Sequence, residues 1–329
     1  MTETRIAVLG TARIARTVAP HIHKADGAQL VGIASRDQSR AEAFAQEFNI
    51  PRTWGSYEEV IADDNVDAVY IPLPPSMHRE WTERAAAAGK HVLCEKPVSA
   101  NPGDTAAILD CCRANDVVFL DGVMWYHTPR AAEMLQVASS GQLGEIRQVN
   151  AVFTFRWDTW PMEDLRMQRS MGGGSLLDLG WYCVGAALML LDDMPIRVSA
   201  WGQYINDVDT RMNAHMWFPG DRMATIECGF DTLRRRWVEV AGTKESLVCD
   251  DFTRPWKEDR PRFWIHDSDG VSTEHLCPTK PQEQCMVEEF CRLIRSGETD
   301  HPLLQRSLNT QIVCDALDRS ARSEQPVEL

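Results

Sequence analysis

Arg5-Ile6-Ala7-Val8-Leu9-Gly10-Thr11-Ala12-Arg13-Ile14-Ala15 is the stretch on which the fold turns. Arg5 to Leu9 is a short apolar run, Gly10 opens a tight turn, and a helical pattern follows to Lys24. Strand, turn and helix in this order make a phosphate-binding motif, in which backbone approaches a pyrophosphate at a helix N-terminus. The spacing is G-x-A-x-x-A, with Ala12 and Ala15 where the usual motif has its second and third glycines. Each alanine adds one methyl group and still permits close packing of helix on strand. Gly10, Thr11, Ala12, Arg13 and Ile14 are therefore candidate cofactor contacts.

The same alternation continues downstream. Ala28 to Ala34 reads as a strand, Gln38 to Phe48 as a helix, Val66 to Ile71 as a strand and Arg79 to Ala88 as a helix. A strand at His91 to Cys94, a helix begun by Asn101-Pro102 and a strand at Val117 to Leu120 complete the series. Such alternation specifies a doubly wound parallel sheet covered on both faces, an α/β domain of the Rossmann type spanning residues 1-123. Ligands bind such sheets beyond the carboxyl ends of the strands, where Gly10, Ser35, Leu73 and Lys96 should lie.

The second strand ends in Ser35-Arg36-Asp37. An NAD site usually places an acid here to hold the ribose hydroxyls. This chain offers a hydroxyl and a guanidinium instead, with Arg40 nearby, and these groups suit a 2′-phosphate. The prediction is NADP(H) as the preferred cofactor, with NAD(H) left open by Asp37 one residue further on.

After Asp121-Gly122 the texture changes, and a second domain is expected over 124-329. From Val149 to Trp157 the odd positions (Val149, Ala151, Phe153, Phe155, Trp157) are apolar, a period of two that marks a strand with one face on a core. Further strands are expected at Arg197 to Ile205, Arg211 to Phe218, Arg222 to Phe230, Trp237 to Ala241, Leu247 to Cys249 and Phe263 to Asp267. Pro219-Gly220-Asp221 supplies a hairpin turn between two of them. The expected product is an α+β domain with a large open, mainly antiparallel sheet, helices on one face and a subunit interface on the other, giving a homodimer or homotetramer. A helix is expected from Ser175 to Leu191, which puts Asp178 and Tyr182 on one face, and glycines 172 to 174 free the backbone just before it. Two more helices are expected at Glu283 to Arg295 and Leu303 to Ser320.

Composition narrows the function. The chain has 329 residues and a formal charge of -14, which argues against nucleic-acid and acidic-membrane partners, since these are bound by clustered cations. No secretory signal pattern stands at the N-terminus, and the apolar stretch Val184 to Leu191 is too short to cross a bilayer, so a cytoplasmic protein is expected. Ten cysteines without paired metal-ligand spacing read as packed, reduced thiols, and no metal is expected.

Six ordered segments together resemble the Gfo/Idh/MocA family of oxidoreductases. They are the G-x-A-x-x-A start, Glu95-Lys96-Pro97, Trp125 to Pro129, Gly172 to Tyr182, Val240 to Lys244 and Asp315 to Arg322. The resemblance covers almost the whole chain. Tyr182 stands where many members carry histidine, which points to the branch similar to dimeric dihydrodiol dehydrogenases, NADP-dependent xylose dehydrogenases and sugar ketoreductases. It implies hydride transfer between nicotinamide and a CH-OH or C=O carbon of a sugar, polyol or cyclic diol. It also implies a cis bond at Lys96-Pro97.

That chemistry needs a group to hold the proton of the reacting oxygen. Tyr182 is the candidate acid and base, and whether it or Lys96 is the principal proton donor is left open at this point. A phenol has a pKa of about 10, so full tuning to neutrality takes about 4 kcal/mol of phenolate stabilisation. Lys96 supplies a cation for that purpose and can also polarise the substrate oxygen. Asp178 is expected to bind a substrate hydroxyl or orient Lys96. Leu73, Pro74, His78 and Glu95 are assigned to the cofactor side, and Trp125, Tyr126, His127, Trp157 and Arg166 to the substrate. A non-catalytic NADPH-binding regulator and an enzyme recycling a tightly held cofactor are the alternatives.

Overall fold

The computed structural model describes residues 3–329, and the chain divides into two compact units. The first comprises Met1–His127 and Pro281–Gln305, the second Thr128–Lys280 and Arg306–Leu329.

In the first unit six parallel strands form one sheet: β1 (Thr4–Leu9), β2 (Ala28–Ala34), β3 (Thr53–Trp54), β4 (Ala68–Ile71), β5 (His91–Cys94) and β6 (Phe119–Asp121). Their order, β3-β2-β1-β4-β5-β6, is that of a Rossmann fold, and it reverses between β1 and β4, where such sheets open a ligand crevice. The connecting helices are α1 (Arg13–Ile22), α2 (Gln38–Phe48), α3 (Tyr57–Ile61), α4 (Pro75–Ala87) and α5 (Pro102–Ala114). Side-chain caps start three of them: Asp37 accepts from Ser39 N–H, Ser56 from Glu59 N–H and Asn101 from Asp104 N–H. The helix expected from Arg79 begins at Pro75 instead, because proline fits a first turn whose N–H groups have no intrahelical acceptor.

The core of this unit includes Ile6, Val8, Val18, Ile22, Phe44 and Leu93, and it is completed from far along the chain. The helix Gln282–Ser296 contributes Met286, Val287, Phe290, Cys291 and Leu293 to it. A single boundary at 123/124 therefore differs from the observed division, since this late helix buries its apolar stripe in the first unit.

The second unit begins with α6 (Pro129–Ser139) and β7 (Ile146–Arg156), followed after a long segment by α7 (Trp181–Leu191). Strands β8 (Arg197–Ile205), β9 (Val208–Phe218), β10 (Arg222–Gly229), β11 (Asp231–Gly242), β12 (Ser246–Cys249), β13 (Arg262–His266), β14 (Ser272–Leu276) and β15 (Val327–Glu328) follow. They join β7 in a nine-stranded sheet, order β14-β13-β12-β11-β7-β10-β9-β8-β15. Only β7 and β10 pair in parallel.

The alternation of β7 decides the two faces of this sheet. Val149 and Ala151 share a face with Val238, Val240, Ala224, Ile226, Met212 and Ala214, all buried. The opposite face carries two hydrogen-bonded groups, Thr225–Asn150–Glu239 and Glu227–Arg235, together with Trp201 and Trp237, which are 54% and 45% exposed. The expected open face exists, and it is mixed rather than plainly apolar. Arg169–Leu191 is the one stretch among the described residues that is long and apolar enough to cross a membrane, and 83% of its apolar window is buried within the protein. All ten cysteines are unpaired, and all but Cys111 are buried.

Candidate active site

Three segments of the first unit converge on Gly10. Its N–H donates to Ala34 O (2.8 Å), and its φ of +111° lies where side chains are strained. A Cβ there would stand 2.9 Å from Leu73 Cδ2 and 3.4 Å from Tyr57 Oη. Arg36 and Arg40 lie close enough to the Tyr57 hydroxyl to act on it electrostatically. Gly10, Leu73, Arg36 and Arg40 are thus brought together, around a tyrosine that sequence reasoning missed. The available signal was Ser56-x-x-Glu59, a capping pattern that fixes a helix starting at Tyr57.

Ser35 is buried, and its Oγ accepts from Asp37 N–H at 3.2 Å. Asp37, the acid that left NAD(H) open, turns away: its Oδ1 accepts from Ser39 N–H (3.0 Å) and from Ser39 Oγ–H (2.7 Å). The hydrogen bond from the Ser39 side chain, helped by backbone N–H groups of α2, holds its carboxyl below the usual range. Ala12, just before α1, adds no side-chain cap, so the N–H groups of that first turn are not spent on a neighbouring side chain. A glycine turn, an uncapped helix start and two arginines fit a phosphorylated dinucleotide.

Lys96 is half-buried at the end of β5, and its bond to Pro97 is cis. Two residues assigned to the cofactor do other work here. Glu95 points inward: its Oε1 accepts from the Tyr70 hydroxyl at 2.7 Å, and its Oε2 would lie 2.8 Å from a Cβ on Gly122. Burial pushes its carboxyl up to about 7, although the Tyr70 hydrogen bond and the Lys96 charge oppose this. His78 lies inside α4, fully buried, with Nε2 2.7 Å from Leu73 O and Nδ1 3.0 Å from Pro97 O. It braces the exit of β4 against the Lys96–Pro97 turn, and burial lowers its pKa. Trp125 also departs from expectation: it is 2% exposed in the turn Met124–His127, against which the helix Gln282–Ser296 packs. It is core, while Tyr126 and His127 beside it are half-buried.

In the second unit, Asp178, Arg166 and Trp157 come together. Arg166 grips Asp164 with two parallel bonds (Nε–Oδ1 2.9 Å, Nη2–Oδ2 2.8 Å), and its Nη1 stands 3.8 Å from Asp178 Oδ2. The hydrogen bond to Asp164 raises its pKa further. The guanidinium lies over Trp157, 4.9 Å from the ring centre, and Trp157 packs in turn on Phe155 and Phe230. Tyr182 meets Phe153 edge to face at 5.4 Å. Residues Leu176–Gly180 form a π-helical turn before α7, so the expected plain helix from Ser175 is locally widened. Gly180 lets this turn lie close on β10: a Cβ there would stand 3.0 Å from Cys228 Sγ.

A Rossmann sheet with a dinucleotide-binding turn, joined to a second unit whose helix presents an acid and a phenol, is the architecture of a nicotinamide-dependent oxidoreductase. Residues 4–122 match the Gfo/Idh/MocA oxidoreductase family with its NAD-binding Rossmann fold, and residues 131–248 match that family's C-terminal domain. The chain belongs to the Gfo/Idh/MocA family. It is 36% identical over 328 residues to the D-xylose 1-dehydrogenase (NADP(+)) 2 of Haloferax volcanii, covering 98% of each chain. It is 33% identical over 296 residues to the dTDP-3,4-didehydro-2,6-dideoxy-alpha-D-glucose 3-reductase of Saccharopolyspora spinosa, covering 89% of this chain and 88% of that one. Among solved structures it is similar to KijD10, a 3-ketoreductase from Actinomadura kijaniata in complex with NADP and TDP-benzene, with TM-score 0.90 and 28% identity over 97% and 98% of the two chains.

Proposed function

We propose that the chain is an NADP(H)-dependent oxidoreductase that moves a hydride between nicotinamide and a CH-OH or C=O carbon of a sugar, polyol or cyclic diol. Bound nicotinamide supplies the hydride acceptor or donor. Tyr182 takes the proton that leaves the alcohol oxygen in oxidation and returns it in reduction. Lys96 brings a positive charge to that oxygen and lowers the energy of the tyrosinate. Asp178 accepts a hydrogen bond from a neighbouring hydroxyl, and Arg166, held by Asp164, donates to another.

The observation that carries this reading is the wall of Arg166 over Trp157 beside Asp178. A polyhydroxyl ring needs this pairing, an aromatic face for its C–H groups and charged groups for its hydroxyls. The diversion of Asp37 into the α2 cap, leaving Arg36 and Arg40 near the Tyr57 hydroxyl that borders Gly10, supports NADP(H) over NAD(H). The tryptophans of the open nine-stranded face support its use as a subunit interface of a homo-oligomer.

The test is a panel of aldopentoses, aldohexoses, polyols and dihydrodiols offered to the purified chain with NADP+ or NAD+. Sugar-dependent NADPH formation, faster than with NAD+, is expected. No turnover with any alcohol would sink the enzymatic reading in favour of a cofactor-sensing regulator, and nucleotide that co-purifies without exchanging would favour internal recycling.

A further inference from the structure

One buried acid outside the residues assigned so far lies where it can govern them. Asp209, near the start of β9, is 6% exposed. Its Oδ2 accepts two hydrogen bonds, from Ser175 Oγ–H and from Leu176 N–H, each 2.7 Å long. Its Oδ1 lies against Gly174, where a Cβ would be only 2.0 Å away and where φ is +121°. Gly174 O in turn accepts from Asp178 N–H at 3.0 Å. One carboxylate on the sheet therefore touches three consecutive residues at the origin of the π turn, from which the Asp178 and Tyr182 backbone departs.

The groups that face Asp209 do not neutralise it. Asp318 and Cys314 approach from the long helix Pro302–Ser323, Tyr204 from β8 and Cys228 from β10, where Cys228 Sγ is 3.6 Å from Ser175 Oγ. Burial pushes the Asp209 carboxyl up to about 7, against the hydrogen bonds from Ser175 and Leu176. An acid kept at such a cost, with a glycine required beside it, is a holding point for the turn above it.

We infer that Asp209 is a positioning residue for the reaction: it fixes the origin of the helix that carries Asp178 and Tyr182. The inference rests on the roles proposed for those two residues. Asp209→Asn retains an oxygen where both donors converge, while Asp209→Ala leaves Ser175 and Leu176 without their acceptor. Ser175→Ala removes one donor alone and serves if the alanine variant of Asp209 fails to fold.

The experiment compares these full-length variants by amide exchange and by turnover of the best sugar in the panel. Loss of the bond should speed exchange of the Leu176 amide by about tenfold in Asp209→Ala, with Asp209→Asn staying near the parent. Misplacement of the helix should lower kcat by about tenfold to a hundredfold in Asp209→Ala, with the sugar KM and NADP+ affinity little changed. The ratio of parent to Asp209→Asn turnover should rise between about pH 6 and about pH 8, as the parent's carboxyl ionises. A purely structural role would leave that ratio flat. Parent-like Leu176 exchange or parent-like kcat in Asp209→Ala would overturn the inference, and unaltered exchange in Ser175→Ala would do so where that variant stands in. If the parent turns over no sugar, the proposed function fails, and the exchange result alone decides whether Asp209 holds the turn.

Discussion

Asp37 shows that a carboxylate is defined by what it already holds. Its two bonds to Ser39 commit it to the start of α2, and the proposed preference for NADP(H) rests on Arg36 and Arg40 in its place. Arg36→Ala is therefore expected to weaken NADPH binding by about tenfold to a hundredfold, the value of one hydrogen bond between charged partners, while NADH binding changes little. Titration by fluorescence checks this, and equal losses for the two nucleotides would contradict it. The residue types at this corner were legible in Ser35-Arg36-Asp37. Orientation was not: nothing in the order of residues says that Glu95 turns in toward Tyr70 or that Trp125 is buried. Those outcomes depend on neighbours distant in sequence.

At the scale of elements, periodicity and capping located most pieces and failed where geometry is non-local. β2, α2, β5 and β8 fall where alternation and turn residues put them. β9 begins three residues earlier than expected, because Asn206 and Asp207, both at positive φ, make a two-residue hairpin turn. Reading that dipeptide as a turn would have brought Asp209 into the sheet and into view. The π turn at Leu176–Gly180 has no comparable local signature, and its surroundings are non-local: Gly180 lies close on Cys228, and Asp209 accepts from Leu176 N–H at its first residue. The acid and phenol spaced four apart were legible, whereas the support beneath them required the sheet.

For the whole molecule, two buried acids give stability a pH dependence with a definite sign. Glu95 in one unit and Asp209 in the other are each raised to about 7 from ordinary values of 4.5 and 3.8. A group whose folded pKa exceeds its unfolded value stabilises the fold fully below the unfolded pKa, and that contribution is lost as pH rises through the folded one. Each shift corresponds to about 3 to 4 kcal/mol lost between roughly pH 4 and pH 8. Glu95→Gln and Asp209→Asn should therefore raise Tm relative to the parent at about pH 8 and show a smaller gain at about pH 5. Calorimetry at both pH values measures this, and a gain independent of pH would refute the sign. Fold class was readable at this scale from alternation alone. The return of Gln282–Ser296 to the first unit was not, because an apolar stripe states that a helix has a core to join without saying which one.

The central claim is that Lys96 and Tyr182 handle the proton while the Rossmann unit holds the cofactor. Single-turnover kinetics of Lys96→Ala and Tyr182→Phe, beside NADPH dissociation constants for both, test it most directly. Loss of a general acid–base or of its charge partner should slow hydride transfer by about a hundredfold or more, with NADPH binding nearly unchanged. Hydride transfer at the parent rate in both variants would contradict the account.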